Sequence, residues 1–374
     1  MPSIAMMKAT KAIHAQAGTS TFLRFLRLSN RAPTAEGLSR PAGPATPDRC
    51  RCSAVMTMSS VGDTPLRNGV HGSRYPRLTP VKQRYGTDVS QPRVLSFGES
   101  VVDIYPDRRV VAGSPVHLAA HLARRGWEVT LATRVGNDAD AAAIRKVLRG
   151  FGISEAFVES DPILPTGSVT VYFEEDGHGF HIHKPASWDA LELHSAPSAD
   201  VACFGSLIGR SAVARAALDR LFAHDFSMRV FDVNLRPPDV HRETVRRALA
   251  AATVIKVSED ELDEVARLIR VPPEVNSLFE YAKDLEWLSI TRGSRGAELW
   301  HRSGRSWKRP AARVKVVDSV GAGDAFTAGL VHGLWHGWAG DEALAEAVKT
   351  AESILGQRGG LPATDAPGDE QGGV

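Results

Sequence analysis

The stretch "VVDSVGAGDAFTAGLVHGL", residues 316–334, decides how the chain is read. Val316 and Val317 close a β-branched run. Ala325, Phe326, Ala328, Leu330, Val331 and Leu334 then recur at near-helical spacing. Gly321-Ala322-Gly323 sits between the two, where the backbone N–H groups of a helix start point forward without acceptors. Free amides and the helix dipole both favour an anion at such a turn. Asp324 is the anomaly, because a carboxylate and a bound phosphate repel. Two readings stand open from these residues: an N-terminal cap, or a base held beside a phosphoryl group in transfer.

Outward from this strand–turn–helix unit, the same alternation recurs from Arg93 on. Strand-like segments are "RVLSFGESVVDIY", "EVTLATRVG", "DVACFGS", "MRVFDVN", "TVIKVS" and "EWLSITRG". Helical ones are "VHLAAHLARRG", "DADAAAIRKVLRGFG", "SAVARAALDRLFAH", "RETVRRALAAA", "EDELDEVARLI" and "DEALAEAVKTAESILGQRG". Such interleaving predicts an α/β fold: a doubly wound, mainly parallel sheet with helices on both faces. Residues 168–184, with Asp176-Gly177 as a hairpin turn signal, break the rhythm and predict a small β lid. A second hairpin, "GAELWHRSGRSWKRPA", precedes the opening motif.

The chain has 374 residues and a net charge of +2. Residues 1–92 hold 13 Lys+Arg against four acids, a net of +9, so residues 93–374 carry −7. A mildly acidic body argues against a nucleic-acid or membrane-surface role. No run approaches the roughly 18 apolar residues of a membrane span. Three cysteines, Cys50, Cys52 and Cys203, make no disulfide framework, which points to a reducing compartment and a cytoplasmic protein. Residues 1–92 lack periodicity and read as disorder, an organelle transit peptide or a non-native extension; 366–374 read as a flexible tail.

Two nucleotide signatures are excluded directly. No lysine follows a glycine, as a phosphate loop ending in Gly-Lys-Ser/Thr requires, and the third glycine of a dinucleotide fingerprint falls on Phe326. Phosphoryl transfer asks for donors on the moving group, a metal for the nucleotide charge, and a base aligning the acceptor hydroxyl. Gly321, Ala322 and Gly323 would supply the first and Asp324 the last.

At this point residues 93–365 resemble the ribokinase (PfkB) type of sugar kinase, especially its fructokinase-like branch. "DSVGAGDAF" is similar to that family's C-terminal signature. The resemblance implies Asp324 as catalytic base, Gly321, Ala322 and Gly323 as anion hole, and Asp318 on the nucleotide side. "SFGESVVDIYP" resembles the first strand, with Asp103 on sugar hydroxyls. "AGSPVHLAAHLARRG" resembles the sugar-binding turn, implying sugar contacts for Gly113 and His117. Ala112 stands there where a glycine is usual, and His117 where Asn is. "FDVNLRP" is similar to the branch's Asp-Pro-Asn-Leu-Arg segment and implies a substrate role for Arg236. "KVSEDEL" resembles the metal motif, which places Ser258 and Glu261 near the nucleotide and makes Glu261 the Mg²⁺ residue. "ITRGSRGAEL" implies nucleotide contacts at Thr291, Gly293 and Gly296. The implied activity is ATP- and Mg²⁺-dependent phosphorylation of a sugar hydroxyl, with fructose first. Ribose, 2-keto-3-deoxygluconate and a nucleoside are the other acceptors, a non-catalytic ligand sensor is the rival class, and a homodimer is open.

Overall fold

The computed structural model describes residues 91–174, 177–195 and 197–363. The expectations for residues 1–90, for Asp176 in the lid turn and for 366–374 lie outside them.

Nine strands form one sheet, in the order β13-β12-β11-β10-β9-β8-β1-β4-β5. They are β1 (Arg93–Phe97), β4 (Glu128–Val135), β5 (Ser154–Ser160), β8 (Val201–Gly205), β9 (Met228–Asp232), β10 (Val254–Ser258), β11 (Trp287–Thr291), β12 (Ala297–His301) and β13 (Ser306–Arg309). Every pairing from β5 to β11 is parallel; β12 and β13 add an antiparallel edge. Strands buried on both faces read as near-continuous apolar runs, and their alternation splits the core in two. Leu95, Phe97, Phe204, Phe231, Ile255 and Ile290 face α3 (Ala212–Phe222), α4 (Arg242–Ala251), α5 (Glu259–Ile269) and α6 (Val275–Tyr281). Val94, Val129, Val201, Val230 and Val254 face α1 (Ser114–Ala123), α2 (Ala139–Gly150), α7 (Ala322–Trp335) and α8 (Gly340–Leu355). The doubly wound expectation holds.

The small β element expected at 168–184 is larger than a hairpin. A second sheet has the order β3-β2-β6-β7, from β2 (Val101–Ile104), β3 (Arg109–Ala112), β6 (Gly167–Glu174) and β7 (Gly177–Ile182). The segment "RVLSFGESVVDIY", read as one strand, is therefore two, serving different sheets. The break falls at Gly98, whose φ of 152° lies outside the usual L-residue range and whose added Cβ would sit 2.7 Å from Pro115 Cγ. Strands β3 and β5 and helix α6 lie outside the elements read from sequence. The β-branched run before the motif forms no strand: Val314, Val316 and Val317 are exposed. Among the described residues no strand completes a ladder there, and β propensity without a pleated surface to pack on is a weak force.

Candidate active site

Helix α7 begins at Gly321, with φ 77°, and an added Cβ there would lie 2.3 Å from Gly360 Cα. Only glycine fits. The amides of Gly323 and Asp324, in the first helical turn, have no acceptor within the helix. The N-terminus is thus an amide cradle built from Gly323 and Asp324, whereas the Ala322 amide, which the sequence also nominates, donates to the Ser319 carbonyl at 3.3 Å. Asp324 has its carboxylate buried. It does not cap its own helix, since α7 has no side-chain cap bond. Ser114 Oγ donates to Oδ1 at 2.6 Å, and His117 Nδ1 stands 2.9 Å from Oδ2. Burial pushes the carboxyl up, but the His117 and Ser114 bonds and the Lys256 charge outweigh it and leave Asp324 below its ordinary value, ionised.

Ser114 and His117 reach Asp324 because α1 starts at Gly113, with φ 115° and its α-carbon packed on the Glu99 carbonyl, where a Cβ would approach to 2.7 Å. The family resemblance implies a sugar contact for His117. The structure places its Nδ1 on the proposed base and leaves Nε2 buried with no protein partner.

Two further acids lie where the chain passes from the large sheet to the small one. Asp103, on β2, is buried, and burial pushes its carboxyl up to about 6 against the opposing influence of His117. Glu99, at the break after β1, is buried, with Oε2 unpartnered; burial raises it to about 7 against the pull of Arg236. Arg236 is exposed, and among the described residues its guanidinium bonds only the Leu235 carbonyl. It sits near enough to both acids to bias their titration.

The residues expected on the nucleotide side gather at the carboxyl ends of β10 and β11, where Ser258 pairs with Thr291, the end at which open α/β sheets bind ligands. Glu261 accepts from Ser258 N at 2.9 Å, from Ser258 Oγ at 2.7 Å and from Leu235 N at 2.6 Å. Its carboxylate therefore staples the start of α5 to the chain after β9. Gly293 opens a short turn with φ 52°, and Gly296 closes it with φ 93°, packed on Arg309 O where no Cβ fits. Asp318 accepts from Val320 N and Gly359 N, both at 3.0 Å, and orders the loop ahead of the cradle.

Sequence reasoning missed Glu99, Ser114, Asp232, Thr327 and Lys256. Lys256 Nζ pairs with Asp232 Oδ1 at 3.0 Å, and Thr327 Oγ1 donates to Oδ2 at 2.7 Å. A Cβ on Gly323 would lie 3.2 Å from that ammonium, so a buried positive charge stands under the amide cradle. Burial opposes the charge on Lys256, but Asp232, Glu261 and Asp324 more than restore it. The available signal was a lysine inside an otherwise apolar strand, since a buried lysine needs a partner or a task. Among the described residues no three acids, histidines or cysteines form a metal cluster, and no helix is long and apolar enough to cross a membrane.

An anion cradle at the carboxyl end of a parallel sheet, an ionised buried carboxylate beside it and two buried acids next to a small second sheet define a phosphoryl-handling α/β protein. Residues 94–366 match the profile of the pfkB family carbohydrate kinases, and the chain belongs to that family. It is 28% identical to the fructokinase of Escherichia coli over 267 residues, covering 65% of this chain and 84% of that protein. Identity to the aminoimidazole riboside kinase of Salmonella typhimurium is also 28%, over 70% and 87% of the two chains. The crystal structure of fructokinase from Vibrio cholerae, bound to fructose, ADP and calcium, superposes with a TM-score of 0.63 at 25% identity, covering 73% of this chain and 96% of that one.

Proposed function

We propose that this carbohydrate kinase transfers the γ-phosphoryl group of ATP to a hydroxyl of a small sugar, with fructose as the first acceptor to test. The observation that carries the reading is Asp324, buried and ionised at an open amide cradle. In the transfer the acceptor oxygen bonds to the γ-phosphorus while the bond from that phosphorus to the ADP oxygen breaks. The electron pair leaves on ADP and the hydroxyl proton passes to Asp324. An ionised Asp is a weak base, which suffices where the proton leaves late in a loose transition state. The Gly323 and Asp324 amides and the Lys256 ammonium offset charge on the phosphoryl oxygens. Asp103, Glu99 and Arg236 bind and orient the acceptor. Mg²⁺, when bound, draws charge from the nucleotide phosphates; hard oxygen donors at Ser258 and Glu261 fit it through water, their remaining lone pairs being free. The fructokinase and riboside-kinase likenesses support a sugar or sugar-like acceptor and leave several candidates.

ADP release measured over fructose, ribose, 2-keto-3-deoxygluconate and a nucleoside tests the reading. Asp324→Asn should lower kcat by about 10²–10⁴-fold with ATP affinity nearly unchanged. Normal turnover in that variant, or no ADP release with any acceptor, would remove it.

A further inference from the structure

Ser114 and His117 lie three residues apart on α1 and face the same way, so one turn of this helix holds both oxygens of Asp324. A carboxylate held at two points cannot rotate about its terminal bond. The His117 ring is itself confined. It is 3% exposed, and at Gly360 any side chain would place its Cβ 2.6 Å from His117 Cε1 and 2.7 Å from Nδ1. An ionised carboxylate only accepts, so the 2.9 Å contact assigns the imidazole proton to Nδ1. In the neutral ring Nε2 is then a bare acceptor, buried and without a protein partner. A buried acceptor left open is costly unless something fills it.

We infer that His117 is a positioning residue for Asp324: its Nδ1–H fixes the plane of the base against the amide cradle. The inference rests on the proposed role of Asp324 and adds what holds that base in its plane. A histidine that merely packs would lose stability on truncation without a defined pattern across isosteres. Side-chain geometry separates the two nitrogens, because the Asn amide overlays the Nδ1 position and the Gln amide reaches the Nε2 position.

The test uses the full chain and the acceptor with the highest turnover. His117→Ala should lower kcat about 100-fold, the scale of a misplaced catalytic group. His117→Asn should recover kcat to within about tenfold of wild type, through its amide N–H to Asp324. His117→Gln should stay as slow as His117→Ala. Adding His117→Ala to Asp324→Asn should cost less than about twofold more, since the ring acts on kcat through the carboxylate. Long-range ¹H–¹⁵N spectra of the wild type should show His117 protonated at Nδ1, a readout independent of turnover. Equal kcat for the Ala and Asn variants, a normal kcat for the Ala variant, or the Nε2–H tautomer would each overturn the inference. Asp324→Asn alone reports on the proposed function: fast turnover there sinks that reading, whereas a slow Asp324→Asn beside a fast His117→Ala sinks only the role of His117.

Discussion

At the scale of single residues the site is a set of carboxyls driven apart by their surroundings. Asp324 receives two donors and stays ionised, whereas Glu99 and Asp103 are raised chiefly by burial, to about 7 and about 6. A spread of this kind lets one pocket hold an ionised base beside acids able to donate to sugar hydroxyls. It also fixes a sign for stability. Glu99 in the folded chain holds its proton to a higher pH than in the unfolded chain. Its contribution to stability is therefore present at low pH and declines as pH rises from about 4.5 to 7. Glu99→Gln cannot ionise and removes that slope. In urea titrations from pH 5 to 8 the variant should gain on wild type by on the order of 2 kcal/mol, since a tenfold change in proton affinity is worth about 1.4 kcal/mol. Parallel curves for the two proteins would show that Glu99 is not held neutral by burial.

Among elements, the junctions carry most of the consequence. Asp138 caps α2 through Ala141 N at 2.8 Å and also accepts from Thr166 N at 2.8 Å and Thr166 Oγ1 at 2.6 Å, tying that helix to the start of β6. Asp138→Ala should cost about 1–2 kcal/mol, the range of a lost N-cap. Burial works against the Asp138 carboxylate, but the Thr166 and Ala141 bonds depress it. The loss should therefore appear above pH 4 and fade as pH falls through the lowered value. A loss independent of pH would mean that packing, not the charged cap, is what the substitution removes. The small sheet is pinned at this junction. Trp188 packs on Gly167, where a Cβ would lie 2.6 Å from Nε1, while Tyr172 and Phe180 farther along the hairpin are exposed. Acceptor binding should slow amide exchange in β6 and β7 more than in β9 or β10, as expected of a lid that excludes water. Equal exchange with and without acceptor would remove the lid role.

For the whole molecule, the family match spans 94–366, and every site residue assigned above falls between Glu99 and Gly360. A chain beginning at Gln91 should accordingly keep its Tm within about 2 °C, less than the change expected from roughly 1 kcal/mol in a domain of this size. Its kcat should match that of the full chain, measured under identical conditions. Loss of soluble protein on truncation would assign residues 1–90 a structural part in the catalytic body.

The local chemistry was legible in the chain itself. Gly321-Ala322-Gly323-Asp324 specifies a turn, a helix and a carboxylate within a few residues, where short-range sterics and helix geometry decide the outcome. Apolar runs such as "VIKV" and "DVACF" likewise marked strands buried on both faces. Three things depended on partners far along the sequence. The run at 313–317 has the β propensity of a strand but no strand partner among the described residues, so it is a loop. "RVLSFGESVVDIY" looks continuous, yet its halves find partners in different sheets, β4 and β8 for one and β3 and β6 for the other. Asp324 had two readings because its donors, Ser114 and His117, stand more than 200 residues earlier. Which groups desolvate a carboxylate and which bond it is a matter of three-dimensional proximity. Only the packing of α1 against α7 made a buried, ionised acid of what the sequence shows as Asp at a helix start.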